Sequence, residues 1–326
     1  MTKPLTSTVP PMTFNSHRYC SPVAGTSLII TGAVHGNETC GTLAIRRLMT
    51  EIDSGKITLI AGNLTLVPVT NPLAFHFGQR QGDRNLNRRL LPTSTPSEFE
   101  DHIANWLCPL LAEHEVLLDL HSFVGGGDAF VMVGPHNNSD ALEAFQHADA
   151  ERAMAHRLGV TRLVDGWLST YARGVARRQQ RLSGTENVTE LANAGAQFGV
   201  GTTEYMRSVG GYGVTLECGS HTDPHAPDVA YRAIINTLTY LGLIEGEPPL
   251  AQQLESLHIY DVIDRYHVQD RFVRDWQSFD DIKQGDLLAL RHDGSELRAE
   301  RDGRMIFPDD GAAPGEEWFY VTHKCS

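Results

Sequence analysis

The stretch that most constrains the fold is 27–42, SLIITGAVHGNETCGT. Its run Ser27-Leu28-Ile29-Ile30 is short, rich in β-formers and bounded by Gly32, which reads as a buried strand. Beyond the turn stand His35 and Glu38, and Thr39 then offers a helix start. A strand that passes through a loop into a helix is where open α/β sheets place ligand sites. An imidazole and a carboxylate at this spacing can share one Zn²⁺, a metal that accepts His nitrogen and carboxylate oxygen. A complete metal site needs a third ligand, and a reaction also needs a base.

Strand-like and helix-like segments alternate from about residue 27 to 243. A helix is expected over Thr39–Asp53, on the period of Leu43, Ile45, Leu48 and Met49. Asn63–Val69 reads as a strand that ends at the turn Asn71-Pro72. Phe75–Leu91, rich in Gly, Arg and Asn and without a clear period, reads as a long functional loop. Ser97 with Glu100 three residues on predicts a capping box opening a helix to Glu113. Val116–His121 is a third strand, followed by Gly125-Gly126-Gly127 and a strand over Ala129–Val133.

A helix capped by Ser139 or Asp140 is expected to run to Leu158, with further strands at Thr161–Trp167, Thr202–Met206 and Gly213–Glu217. Residues 171–198 look helical in part, with Gly174, Gly184 and Gly195 as interruptions. A last helix, from about Pro227 to Leu243, carries the stripe Val229, Ala233, Ile234, Leu238 and Leu241. After Glu247-Pro248-Pro249 the texture becomes short β-rich runs punctuated by Gly. The expected architecture is an α/β domain over residues 1–247, with a small C-terminal all-β domain over 248–326.

The net charge of −13 argues against nucleic-acid or anionic-membrane binding, although local arginines can still receive an acidic substrate. The five cysteines form no CxxC, which favours a reducing compartment without a disulfide framework. The first residues, MTKPLTSTVPPMTF, hold no apolar stretch of the kind a secretion signal needs, and no run of 18 apolar residues exists. A cytoplasmic protein is expected.

His121, at the end of its strand and preceded by Asp119, is the third ligand that His35 and Glu38 require. Two His and one Glu with an open position is a catalytic zinc complement. Glu217 ends a different strand and can act as general base, then return the proton to a leaving amine. Arg80, Asn87 and Arg88 can stabilise an oxyanion and pair with a substrate carboxylate, work that suits the planar guanidinium fork. With 15 histidines an HxxE pair arises easily by chance, His121 alone reads as a core histidine and Glu217 alone as a salt-bridged carboxylate. Their conjunction at strand ends in one α/β chain favours a site.

In order, His35-Gly-Asn-Glu38, Asn71-Pro72, Arg80 with Asn85-Leu-Asn87-Arg88, Asp119-Leu-His121 and Thr215-Leu-Glu217-Cys-Gly219 resemble the succinylglutamate desuccinylase/aspartoacylase family, a branch of the zinc carboxypeptidase superfamily. The resemblance spans about residues 25–245, the β-rich tail also fits, and the implied fold is a mixed sheet flanked by helices with a C-terminal β domain that helps wall the active site. It implies one Zn²⁺ per chain on His35, Glu38 and His121, with Glu217 as base. It also implies Arg80 on the scissile carbonyl, Asn87 and Arg88 on the substrate's carboxylate, and Arg207, ten residues before Glu217, in acyl or side-chain recognition. The implied reaction is hydrolysis of the amide of a small N-acyl amino acid, with no nucleic acid or membrane partner; a homo-oligomer is compatible with it. The runner-up is a zinc carboxypeptidase acting on peptides, and a different class is a non-catalytic zinc-binding regulator.

Three departures stand out. Asn85 replaces the acid that commonly orients a ligand histidine, which predicts weaker ligand basicity. Ser122–Gly127 lacks the Thr and Arg that desuccinylases tend to carry there, which argues against succinylglutamate. The aspartoacylase tyrosine upstream of the arginine has no counterpart, Tyr205 being displaced by two. Elsewhere Cys40 and Cys218 are expected simply to pack, His221 and His225 to lie on a solvated loop, and Arg173, Arg177, Arg178 and Arg181 to form an exposed helix face. Lys283, one of four lysines, has no flanking Met, so the tail is expected to serve as structure or lid rather than as a carrier.

Overall fold

The computed structural model describes residues 12–140, 142–182 and 196–325. The strands are β1 (His17–Cys20), β2 (Ser27–Gly32), β3 (Asn63–Val67), β4 (Val116–Phe123), β5 (Phe130–Met132), β6 (Arg162–Asp165) and β7 (Tyr212–Ser220) in the first part. β8 (Glu255–Asp264), β9 (Arg271–Phe272), β10 (Asp281–Ile282), β11 (Leu287–Leu290), β12 (Glu296–Arg298), β13 (Gly303–Ile306) and β14 (Glu317–Lys324) follow. The helices are α1 (Cys40–Asp53), α2 (Pro72–Phe77), α3 (Phe99–Ala112), α4 (Ala148–Ala155), α5 (Trp167–Leu182), α6 (Thr202–Ser208) and α7 (Ala226–Tyr240).

Eleven strands form one mixed sheet in the order β1-β3-β2-β4-β7-β5-β6-β8-β14-β13-β10, and β12-β11-β9 form a second, small sheet. β3, β2, β4 and β7 run parallel, so the C-terminal tips of β2, β4 and β7 lie side by side. Helices cover both faces, which is why these strands read as continuous apolar runs rather than alternating ones. Leu28, Ile30, Val116, Leu118 and Leu120 pack in the core under α1 and α7, whereas Ile29 and Leu117 meet Ile103 and Leu107 of α3 on the other face. That period of two places Asp119 and His121 on the α3 face of β4. The C-terminal strands continue the same sheet, because β8 pairs parallel with β6 from Arg162↔Glu255 to Asp165↔His258. Phe123, Phe130, Val164, Ile259, Phe279 and Tyr320 fill the joint.

Several local expectations are corrected. Thr202–Met206 is helix, not strand: Glu204 Oε2 accepts the Gly201 N–H at 2.9 Å, and Thr202, Met206 and Arg207 are buried on a helical period. The β-branched threonines misled a propensity reading, and packing overrode it. Glu98 and Asp101, not Ser97 and Glu100, form the capping box of α3. Residues 139–140 and 142–147 are irregular beside an isolated bridge Asn138↔Phe145, and the helix expected there begins only at Ala148. α2 interrupts the start of the long loop, because Pro72 sits at its first turn and Asn71 caps it. The expected interruptions at Gly184 and Gly195 lie outside the described residues. No helix among the described residues is long and apolar enough to cross a membrane.

In the arginine run on α5, Arg173, Arg177 and Arg181 are exposed as expected, but Arg178 is not. Arg178 is buried and grips Asp264 of β8 through Nε at 2.9 Å and Nη2 at 2.8 Å, while Arg177 pairs with Asp261 at 2.6 Å. In the small sheet Asp270 is buried and accepts from Arg291 Nη1 and from the N–H groups of Tyr266 and His292, each at 2.8 Å. Although burial opposes its charge, these donors hold its carboxyl well below the usual range. Asp270→Asn is therefore expected to lower stability by ~2 kcal/mol, since hydrogen bonds to a charged group are the stronger kind. A depressed carboxyl contributes above its unfolded value of about 3.9 and loses that contribution as pH falls below it. Denaturant titrations at pH 7 and pH 3 should show the gap between wild type and variant shrinking in acid.

Candidate active site

Each ligand candidate is delivered by the tip of a strand. β2 ends at Gly32, and Ala33 then takes a positive φ of 48°, turning the chain toward His35. Gly36 is demanded by a close approach: a Cβ there would lie 2.0 Å from the Ala74 carbonyl carbon of α2. The fold brings His35, Glu38 and His121 together, all buried, with one ligand atom from each within 4.8 Å of the others. His35 Nδ1 lies 2.7 Å from Glu38 Oε1 and His121 Nδ1 lies 2.8 Å from Glu38 Oε2. The Ser122 N–H donates to Glu38 Oε2 at 3.2 Å, and Arg80 Nη1, on a half-exposed side chain, stands 3.3 Å from Oε1.

Both imidazoles face the cluster through Nδ1 and are braced from behind through Nε2. Asp119 Oδ2 meets His121 Nε2 at 2.8 Å, and Asn85 Oδ1 meets His35 Nε2 at 3.0 Å. Asp119 is itself held by the hydroxyls of Thr31 and Thr202. A ligand histidine whose other nitrogen is hydrogen-bonded has its tautomer and ring orientation fixed, so this donor set fits a zinc ion. The two braces differ in charge. Burial, together with the Arg80 charge, pushes His35 down to about 4. His121 is raised despite burial, because Asp119 and Glu38 favour its cation. Replacing Asn85 with Asp is expected to tighten zinc binding by about tenfold or more, the usual scale for such outer partners; competition titration with a chromogenic chelator measures it.

Glu217 pairs in register with His121 across β4 and β7, so its carboxyl lies beside the cluster. Glu217 Oε2 is buried with no hydrogen-bond partner. Burial, reinforced by the Glu38 charge and moderated by His121 and Arg80, pushes its carboxyl up to about 8. A buried, unpartnered carboxyl next to a metal-ligand cluster is what a proton-transfer role requires.

The loop after α2 is organised by Glu100, a residue whose role the sequence misassigned. From α3 its buried carboxylate accepts Asn71 Nδ2 at 2.8 Å and the N–H groups of Gly82, Asp83 and Arg84 at 2.9, 3.1 and 3.2 Å. Three successive backbone donors around one anion fix the loop that carries Arg80, Asn85, Asn87 and Arg88. Asn87 Oδ1 accepts from the Thr202 N–H at 2.9 Å, which commits its oxygen. The Arg88 guanidinium lies over the rings of Trp167 and Tyr171, 5.0 and 4.6 Å from their centroids, with Nη2 3.7 Å from Glu317 Oε2. Arg88 and Asn87 thus line the pocket together with His35, Glu38, His121 and Glu217.

Arg207 also lines the cavity, but its guanidinium is already surrounded. It contacts Glu143 Oε1 at 2.8 Å, Glu151 Oε2 at 2.9 Å, Glu204 Oε1 at 3.5 Å and the Gly213 carbonyl at 2.9 Å. Burial pushes Glu143 up to about 7, against the pull of Arg207 and with the Glu204 charge adding to it. His221 stands nearer the site than a solvated loop would allow, its Nδ1 2.8 Å from the Ser122 hydroxyl. Cys40 and Cys218 are buried in the main core, as expected. The whole cavity has a volume of about 500 Å³, and Phe307, Asp309, Glu317 and Tyr320 of the C-terminal strands and loops form its far wall.

In this α/β fold the parallel strand tips gather two histidines and a glutamate that could hold a metal ion, beside an acid without a hydrogen-bond partner. Residues 24–234 match the succinylglutamate desuccinylase/aspartoacylase catalytic domain, and the chain belongs to that family, whose members hydrolyse amides. It is 23% identical over 296 residues to the N-alpha-acetyl-L-2,4-diaminobutyric acid deacetylase of Halomonas elongata, covering 86% of this chain and 76% of the relative. The product-bound ectoine utilization protein EutE (DoeB) from Ruegeria pomeroyi shares the fold at a TM-score of 0.69 and 20% identity, over 94% of this chain and 88% of that one. A succinylglutamate desuccinylase/aspartoacylase from Rhodobacter sphaeroides gives 0.67 and 18%, over 93% and 86%.

Proposed function

We propose that this chain is a zinc-dependent amidohydrolase that removes the acyl group from a small N-acyl amino acid. His35, Glu38 and His121 would hold the ion. A zinc ion held there would supply Lewis-acid chemistry and would make water more acidic, with a pKa of about 7. Glu217 takes the proton of the attacking water on its unpartnered Oε2 and returns it to the nitrogen of the departing amine. Arg80 donates to the carbonyl oxygen as negative charge develops on it. Asn87 and Arg88 hold the substrate's carboxylate, the guanidinium kept in place by the aromatic faces of Trp167 and Tyr171. Arg207 acts through the pocket wall rather than as a free anion receptor. The observation that carries the reading is the orphaned Glu217 oxygen beside three mutually facing ligand groups.

The walled cavity of about 500 Å³, to which the C-terminal strands contribute Glu317 and Tyr320, supports small substrates over the peptides of a carboxypeptidase. The Halomonas relative, named for removing an α-acetyl group, supports the same bond type. A cytoplasmic location belongs to the same proposal. Release of free amine from a library of N-acetyl, N-formyl and N-succinyl amino acids, with and without chelator, tests it. Chelator-sensitive release from at least one compound is expected; a zinc-loaded protein inert on the whole library would sink the reading.

A further inference from the structure

We propose that the substrate carries a single carboxylate, so that neither its acyl group nor its side chain bears a second negative charge. This rests on the deacylase reading and narrows its substrate class. Five arginines line the pocket: Arg80, Arg84, Arg88, Arg178 and Arg207. A second carboxylate needs one of them as a partner, because an ionised group moved out of water without one is costly.

Three of the five are already occupied by acids of the protein. Arg84 is held by Asp101 at 2.9 Å and Glu98 at 3.1 Å and also donates to the Arg88 carbonyl at 2.8 Å. Arg178 is clamped by both oxygens of Asp264 and meets Glu317 Oε1 at 2.9 Å. Arg207, at the end of the cavity that also holds Thr203, Met132 and Thr215, is enclosed by Glu143, Glu151 and Glu204. Its seat is built for that enclosure: a Cβ on Gly134 would lie 2.4 Å from Arg207 Nε. The Gly134 N–H also donates to Glu151 Oε1 at 2.6 Å, which fixes the acid against the guanidinium.

Capacity remains only at Arg80, beside Glu38, and at Arg88, whose nearest acid is 3.7 Å away. The reaction uses the first at the scissile carbonyl and the second at the α-carboxylate. Among the described residues no lysine lines the cavity, and the wall at Ser122, Phe123 and Val124 brings no cation. Asp83, Glu204, Asp309, Glu316 and Glu317 line it as well, so a further anion meets like charge. A neutral or cationic side chain meets no such penalty.

Matched pairs that differ by one charge at nearly constant shape decide the matter. The zinc-loaded chain is assayed on N-acetyl-L-glutamine against N-acetyl-L-glutamate, and on N-butyryl- against N-succinyl-L-glutamine. The neutral member of each pair is expected to have a kcat/KM at least 100-fold higher, and equal or reversed values overturn the inference. Glu143→Gln combined with Glu204→Gln unmasks one edge of Arg207. It is expected to narrow the glutamine preference at least tenfold through a lower KM for the glutamate compound; an unchanged ratio removes Arg207 from the explanation and overturns the masking claim. If no compound is cleaved, the deacylase reading fails. Calorimetric binding of the same pairs to the wild-type chain then judges the charge rule alone, and tighter binding of the dicarboxylate overturns it.

Discussion

Glu217→Gln is expected to lower kcat by 10³-fold or more while metal content stays near one ion per chain. The substitution keeps the side chain's shape beside His121, so the ligand cluster is left in place. What it removes is the ability to accept a proton, and positioned general bases typically contribute 10²–10⁴-fold. The acid limb of the pH profile provides a second readout. The carboxyl, raised by burial to about 8 in the metal-free chain, is pulled down by a neighbouring cation. Activity should therefore rise with pH through a value below 8 in the wild type, and that limb should vanish in the variant. A variant with wild-type turnover removes Glu217 from the mechanism.

Glu100→Ala is expected to be nearly as damaging, although Glu100 touches neither metal nor substrate. It strips the acceptor from three backbone N–H groups and from Asn71, at a cost of about 1–3 kcal/mol for each buried donor left unsatisfied. The loop it fixes carries Arg80, Asn85, Asn87 and Arg88, and a displacement of 1 Å at such groups can cost about 100-fold. kcat/KM should fall by about that factor. Zinc affinity should fall with it, because Asn85 no longer braces His35. Glu100→Gln retains one acceptor oxygen and should lie between the two. A folded Glu100→Ala chain with unaltered kinetics would show that the loop holds itself.

That His35, Glu38, His121 and Glu217 converge was legible in the sequence because their signals are local. His35 and Glu38 lie within one turn, and His121 and Glu217 each end an apolar run. Asp119 behind His121 was within reach too, since alternate residues of a strand share a face. What was hidden is what distant segments do to one another. Glu100 looks like a capping residue, and only the packing of α3 against the loop shows it gripping residues 82–84. Arg178 looks like one of four arginines on a solvated helix until Asp264, 86 positions away, closes on it. The three acids around Arg207 come from an irregular segment and from α4 and α6, and no spacing rule joins them. Thr202–Met206 was misread because its β-branched residues carry a strand's composition on a helix's burial pattern.

The cavity has two builders that lie far apart along the chain. The parallel strand tips and the Glu100-pinned loop set the chemistry, whereas β13, β14 and their connection supply the opposing surface through Phe307, Asp309, Glu317 and Tyr320. Exchange of residues 303–324 is therefore expected to redirect selectivity while the strand-tip groups stay fixed, and a library confined to them is the economical route to altered substrates.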